Sequence, residues 1–328
     1  MGIPSGPIIG KECVLTQTPA APPEKPVDAP KASGEIPLKE HLLMVNDLPR
    51  GQRYLEAMQQ KIRPGDIVLE IGTGAGLLSC LAARLGAGHV YTVEQNPVLY
   101  RIAGEVVAVN GLSDKITLIN AHSRDLKSLG IIEQPIDVFV TETIGAQGLD
   151  EGIATVFDDV TPFLSPEARV IPETVKFKLC LVNMAGIREQ AEILRPILGV
   201  DMSPLNQEVK SNNLYWMHPI EPWRELSTTA ETPEYDLRAF MPERSLQELE
   251  IIADGNCDGM LVWAEFKLAD GVSIGTRYRY FGASWANSIH FMPRCLIGRA
   301  QRCISEFTLH DDRIGWSLNW TIEDKNPG

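Results

Sequence analysis

A short apolar run opening into three glycines, Val68–Leu69–Glu70–Ile71–Gly72–Thr73–Gly74–Ala75–Gly76, constrains this chain more than any other segment. A strand that is apolar on both faces belongs in a parallel sheet covered by helices. Glycines between such a strand and a helix let backbone approach a ligand closely, where a Cβ would obstruct it. The spacing is G-x-G-x-G, so Gly76 falls one residue early for the common G-x-G-x-x-G dinucleotide turn. Glu94 ends the next apolar run, where an acid can accept hydrogen bonds from ribose hydroxyls. Together these residues predict a nucleotide-like ligand. The bland alternative is a structural turn beside a surface glutamate.

The order of elements around this motif predicts the fold. Ahead of it, Leu38, Leu42, Val45, Leu48, Tyr54, Leu55 and Met58 recur at helical spacing, interrupted at Pro49. After Pro64–Gly65, strands at Ile67–Ile71, His89–Glu94, Ile116–Ile119 and Asp137–Glu142 alternate with helices at Leu77–Leu85 and Val98–Val109, the second opened by Pro97. Alternation at this spacing predicts a doubly wound parallel sheet. Beyond Ile171–Pro172 come strand-like runs at Val175–Val182, Leu249–Ile252, Met260–Leu268, Val272–Phe281, Leu296–Ile304 and Trp316–Ile322, with turns at Asp258–Gly259 and Asp270–Gly271. They predict an antiparallel, barrel-like domain. Residues 1–36 form a Pro-rich leader, 37–172 the ligand-binding domain and 173–328 the barrel. A helical excursion over about 185–216 (Ile187, Ala191, Leu194, Leu198) has apolar residues suited to a second subunit.

Glu142 and Glu151 stand nine residues apart, the first at the carboxyl end of the fourth strand, where open α/β sheets place ligands. Thr143 to Asp150 can fold back as a loop and bring Glu151 opposite Glu142. Two carboxylates about 4–6 Å apart repel by roughly 3–4 kcal/mol at an effective dielectric near 20. A planar guanidinium relieves that repulsion, because its fork of N–H donors matches two carboxylates. Acids bonded to two of its nitrogens draw positive charge there and leave the third more nucleophilic. The alternative is a pair of solvated loop acids, Glu151 suiting the first turn of a helix.

With these residues in hand, the chain resembles the protein arginine methyltransferase family over nearly everything after the leader. Glu142 and Glu151 match the family's double-glutamate loop, and Met44-x-x-Asp47-x-x-Arg50-x-x-x-Tyr54 resembles its N-terminal helical motif. The resemblance implies a class I methyltransferase Rossmann-like α/β sheet followed by an antiparallel β-barrel with a helical dimerisation arm. It implies S-adenosyl-L-methionine as cofactor, bound by His41, Met44, Arg50, Glu70, Gly72, Thr73, Gly74, Gly76, Glu94, His122 and Ser123. Within that set Arg50 would take the methionine carboxylate, Glu70 would support the amino-acid end, and Asn120–Ser123 would lie on the adenine side. Met44 would also line the arginine slot. Ile289–His290–Phe291 resembles the family's Thr-His-Trp loop with only the histidine kept, and that histidine pairs in the family with an acid corresponding to Asp47. The implied catalytic set is therefore Glu142, Glu151, His290 and Asp47. Ile171–Pro172 matches the join between domains, often a cis-proline. Gly199–Ser203 looks like part of the dimerisation arm, which implies a homodimer. Subtype features around Gly72–Gly74, Ile119–Ser123 and Val140–Glu142 most resemble the monomethylating type III branch.

The expected activity is methyl transfer to the guanidino group of a peptide or protein arginine, giving a monomethylated product. Free L-arginine or another small guanidino compound is the alternative substrate, and a non-catalytic cofactor-binding scaffold the alternative function. A net charge of −13 disfavours a nucleic-acid partner. The sequence after Val140 also lacks the Asn/Asp-Pro-Pro-aromatic element of amino-methylating nucleic-acid enzymes. No run approaches the roughly 20 apolar residues of a membrane span. Six scattered cysteines and six histidines show no metal-ligand spacing, which fits reduced thiols in a cytoplasmic protein without a metal.

Overall fold

The computed structural model describes residues 38–184, 193, 195–206, 214–216, 223–277, 285 and 287–325. All belong to one unit, 37–328. The leader, half of the expected arm at 185–216 and the end of the expected Val272–Phe281 strand lie outside the described residues.

Two helices precede the first sheet, α1 (Leu38–Asn46) and α2 (Leu48–Lys61). Asp47 caps α2 by accepting from Arg50 N at 3.2 Å, and Pro49 sits in the first turn, where its missing N–H costs nothing. Tyr54, Ala57, Met58 and Lys61 make the buried stripe of α2. In α1 the apolar spacing does not face a core: no residue is buried, and Leu42 is 65% exposed.

α2 is tied at its middle and at its C-terminal end. Tyr54 Oη donates to Thr141 O at 3.0 Å, and Lys61 Nζ donates to Val170 O at 2.6 Å and to Glu173 Oε1 at 2.7 Å. Gln60 Nε2 donates to Asp270 O at 3.3 Å.

The parallel sheet contains β1 (Ile67–Ile71), β2 (His89–Val93), β3 (Ile116–Ile119), β4 (Ile136–Thr141) and β5 (Leu164–Ile171), in the order β3-β2-β1-β4-β5. α3 (Leu77–Arg84), α4 (Pro97–Val109), the single turn α5 (Leu126–Leu129) and α6 (Ile153–Val160) connect them. β1 lies between β2 and β4, so strand order reverses where the glycine run and Glu142 emerge. That switch point opens a crevice at the carboxyl ends of the strands.

Beyond the cis peptide Ile171–Pro172 the pairing becomes antiparallel. One sheet joins β6 (Thr174–Asn183), β7 (Leu214–Trp216), β8 (Arg224–Glu225), β9 (Ala230–Glu231), β10 (Tyr235–Asp236), β12 (Gly255–Ala269), β13 (Val272–Gly275) and β14 (Asn287–Ile297). A second joins β11 (Arg244–Glu250), β15 (Gln301–Leu309) and β16 (Trp316–Asp324). Phe177 on β6, Phe307 on β15 and Trp316 on β16 meet between them, with ring centroids 4.7–5.9 Å apart.

Two sequence expectations are corrected in this half. Asp258–Gly259 is not a turn but lies inside β12, beside an irregularity in its pairing with β14; a Cβ at Gly259 would sit 2.6 Å from His290 O. The expected Leu296–Ile304 strand divides at the turn Gly298–Ala300 between β14 and β15.

Candidate active site

The glycine run leaves β1 with Gly72, Gly74 and Gly76 at φ 82°, 54° and 90°, a left-handed backbone that favours glycine. Gly72 N and Thr73 N both donate to Val93 O, fastening the turn to β2. Glu94 receives Gly74 N on Oε2 at 2.9 Å and Asn96 N on Oε1 at 2.8 Å. A carboxylate has about four lone-pair sites, so these bonds leave acceptor capacity for hydroxyls.

Glu70 is buried and accepts Thr92 Oγ1 at 2.6 Å, while its Oε1 has no hydrogen-bond partner. Burial pushes its carboxyl up to about 7, against the hydrogen bonds of Thr92 and Ser79 and with the charge of Glu94. Thr73 extends the chain through a hydroxyl contact to Thr92. An orphaned buried carboxylate oxygen beside a glycine turn suits an ammonium donor.

His41 of α1 reaches this turn: a Cβ on Gly74 would lie 3.7 Å from its Nδ1. Burial lowers the pKa of His41, and Arg50 lowers it further, while Glu94 and Glu40 raise it. On the far side, His122 Nδ1 accepts Arg124 N at 3.3 Å, and Ser123 Oγ donates to Asp159 Oδ2 on α6 at 2.6 Å.

Arg50 joins this region to the acids. Its Nη1 donates to Glu142 Oε1 at 2.8 Å and its Nη2 to Met44 O at 2.9 Å. Arg50, expected to take a cofactor carboxylate, also meets the recessed Glu142. Burial pushes Glu142 up to about 7, against the Arg50 charge and with that of Asp47. Burial, then the charges of Glu142 and Asp150, push Glu151 up to about 8. Glu151 remains exposed at its surface, so water relieves part of the burial and the upward direction matters more than its size. The loop thus brings Glu151 within reach of Glu142, with Arg50 acting on both.

His290 departs from expectation. Its ring is recessed against Trp316, with centroids 4.7 Å apart, and its Nε2 has no hydrogen-bond partner. Burial lowers its pKa to about 4, so the ring is neutral near pH 7. Asp47 is buried at the α2 cap, on the Glu142 side.

Two residues that sequence reasoning passed over complete the site. Trp285 Nε1 donates to Ile144 O at 2.7 Å, and its ring lies 5.2 Å from Arg50 Cζ. Trp316 Nε1 donates to Gln147 O at 3.0 Å. Trp316 opens a strand-like run and Trp285 belongs to none, but a tryptophan carries no local signal for the loop it will meet. Among the described residues, no group of three or more His, Cys, Asp or Glu is arranged to hold a metal.

Known proteins similar to this chain are methyltransferases. A family model described as ribosomal protein L11 methyltransferase (PrmA) matches residues 50–172. The arginine N(omega)-methyltransferase of Streptomyces achromogenes subsp. streptozoticus is 31% identical over 237 residues, covering 71% of this chain and 65% of its own length. Protein arginine N-methyltransferase 1 of Schizosaccharomyces pombe is 30% identical over 184 residues, covering 55% of this chain and 51% of its own. The chain therefore spans less than two thirds of the length of these relatives.

Among solved structures, the Trypanosoma brucei PRMT1 enzyme–prozyme complex with AdoHcy superimposes at a TM-score of 0.77 with 18% identity, covering 88% of this chain and 93% of that one. Protein arginine methyltransferase 10 of Arabidopsis thaliana gives 0.71 with 18% identity, covering 87% and 93%. These likenesses establish the fold.

Proposed function

We propose that this chain, like the arginine N-methyltransferases it is similar to, methylates a guanidino nitrogen of arginine. The observation that carries this reading is the approach of Glu151 to Glu142 at the strand switch point, beside the glycine turn and with a guanidinium already on Glu142. Arg50 illustrates what Glu142 accepts, a guanidinium N–H at 2.8 Å.

S-adenosyl-L-methionine, when bound, supplies an electrophilic methyl group on sulfur. Gly72, Gly74 and Gly76 leave room for it, Glu70 offers Oε1 to its ammonium, and Glu94 accepts from its hydroxyls. His41, Met44 and Arg50 close the turn from the helical side, and Thr73, His122 and Ser123 border it.

Glu142 and Glu151 hold the substrate guanidinium by its fork, which offsets their mutual repulsion. Both must be ionised for this, since a protonated acid donates where the guanidinium also donates. Their hydrogen bonds draw charge onto two nitrogens and orient the third. Methyl transfer to that nitrogen releases one proton. Glu151 takes it and passes it to water from its exposed side. His290, held neutral and recessed, supports Trp316.

The substrate class favoured is a peptide or protein arginine, with a monomethylated product; Arg50 and Trp285 crowd one side of Glu142, which favours a single transfer. A second reading has its own support: the Streptomyces relative is named for arginine itself, so free L-arginine is the alternative substrate. We assign the protein to the cytoplasm as a homodimer through 185–216, with the domain division at residues 172 and 173. Among the described residues no helix is long and apolar enough to cross a membrane.

Incubation with the labelled donor and either free arginine or an Arg-Gly peptide tests the function, with mass spectrometry of the products. Transfer to one of them is expected, and transfer to neither overturns the proposal. Dimethylarginine as the dominant product would overturn monomethylation alone.

A further inference from the structure

We propose that Trp285 and Trp316 set the separation of the two glutamates, so that the antiparallel half of the chain fixes the geometry of acids that the parallel half supplies. The proposal deepens the methyltransferase reading and rests on it for its catalytic consequence. Eight residues, Thr143 to Asp150, separate two carboxylates that repel each other. A loop under that load opens unless something outside it holds it.

Its internal ties among the described residues include short-range ones. Gln147 N donates to Asp150 Oδ1 at 2.9 Å, and Gly148 N donates to Gly145 O at 3.0 Å. Three contacts reach it from the antiparallel half. Trp285 Nε1 holds Ile144 O at 2.7 Å, and Trp316 Nε1 holds Gln147 O at 3.0 Å. Gly148 rests on the floor of the first antiparallel sheet, where a Cβ would lie 2.6 Å from Ala264 Cβ and 3.4 Å from Phe177.

Trp316 is itself immobilised. It is 5% exposed and packed among Phe307, Phe177 and His290, with centroids 5.1, 5.9 and 4.7 Å away. An indole has a single N–H, so with that hydrogen on a backbone carbonyl each tryptophan has no donor left to compete with substrate for a carboxylate. Trp285 also faces Arg50, which couples the loop to the guanidinium on Glu142. This gives a structural role to the recessed His290, whose ring buttresses Trp316.

Trp316→Phe and Trp285→Phe keep an aromatic ring and remove the N–H, and Trp320→Phe, on β16 away from these contacts, serves as the control. Two readouts decide. Hydrogen exchange across 144–152 should quicken at least about fivefold in either variant but not in the control, as expected when a donor of a tethering bond is lost. In turnover with an arginine substrate, kcat should fall about tenfold with KM changed less than about threefold, as for an interaction used mainly in the transition state. The acidic limb of the pH profile should also move to lower pH, because acids allowed to part repel each other less.

Unchanged exchange and an unchanged pH profile in both folded variants would overturn the clamp. Trp285 is only half-buried, so its variant keeps the test available should Trp316→Phe fail to fold. Exchange requires no turnover: faster exchange in an enzyme that methylates no arginine compound would sustain the clamp and sink the methyltransferase reading.

Discussion

The two halves of the molecule contribute to the site in different currencies. From the parallel sheet and the helices before it come the groups with charge at stake: Glu70, Glu94, Glu142, Glu151, Arg50 and His41. From the antiparallel sheets come Trp285, Trp316, Ala264, Phe177 and a neutral His290, which touch the loop or support what touches it. One half holds the chemistry and the other holds the dimensions. Substitutions in the first should therefore change which protons are bound, and substitutions in the second should change spacing.

The sharpest way to break this division is to neutralise the acids. Glu142→Gln or Glu151→Gln should lower kcat/KM at least about 100-fold, equivalent to roughly 3 kcal/mol of transition-state stabilisation. Activity within tenfold of wild type for both would remove the acids from the mechanism.

A geometric lesion comes next. Gly148→Ala adds a Cβ at φ 89° against Ala264, so it should cost about 1–3 kcal/mol of stability in chemical denaturation and lower kcat roughly 20-fold. Wild-type stability and turnover would mean the loop is not seated on the antiparallel sheet.

The third effect is a pH dependence. The acids bind a guanidinium only when ionised, and burial raises Glu142 to about 7 and Glu151 to about 8. The kcat/KM should rise more than about 100-fold between pH 6 and pH 8 and level only above about pH 9, in stopped assays with an arginine substrate. A profile flat from pH 5.5 to pH 8.5 would contradict the shifts.

The smallest effect concerns Glu70. Its folded pKa of about 7 lies above the ordinary 4.5 of a glutamate, so the native state binds its proton more tightly than the unfolded chain does. Stability from that proton is full below about pH 4.5 and is lost as pH rises through about 7. Glu70→Gln should accordingly be slightly more stable than wild type at pH 8 while binding the donor several-fold more weakly, as calorimetry would read. Unchanged donor affinity would remove Glu70 from the ammonium site.

The parallel half was far more legible than the antiparallel half, for local reasons. β1 and β3 follow the bounds of their apolar runs because a run made mostly of apolar and β-branched residues carries its own signal. β5 escaped notice because, at an edge like β3, it also carries Ser165–Pro166–Glu167, which an edge tolerates and which breaks the apolar run. Gly259 read as a turn because its need for a missing side chain comes from a neighbouring strand's carbonyl.

At the site, the glycines and the acid spacing were visible in the chain, whereas the arrangement around them was not. Arg50 on Glu142, Asp47 spent on a helix cap, His290 against Trp316 and the two indole donors all depend on contacts between residues far apart in sequence.

One consequence follows from the way α2 is fastened. Its last turn is pinned to Val170 and Glu173 where the two halves meet, and its first turn carries the arginine seated on Glu142. A helix of 14 residues spans about 21 Å and bends only at appreciable cost, so it acts as a lever arm. A small tilt at the fulcrum near Lys61 would swing the far tip sideways, easing the guanidinium off the carboxylate without any loop having to unfold.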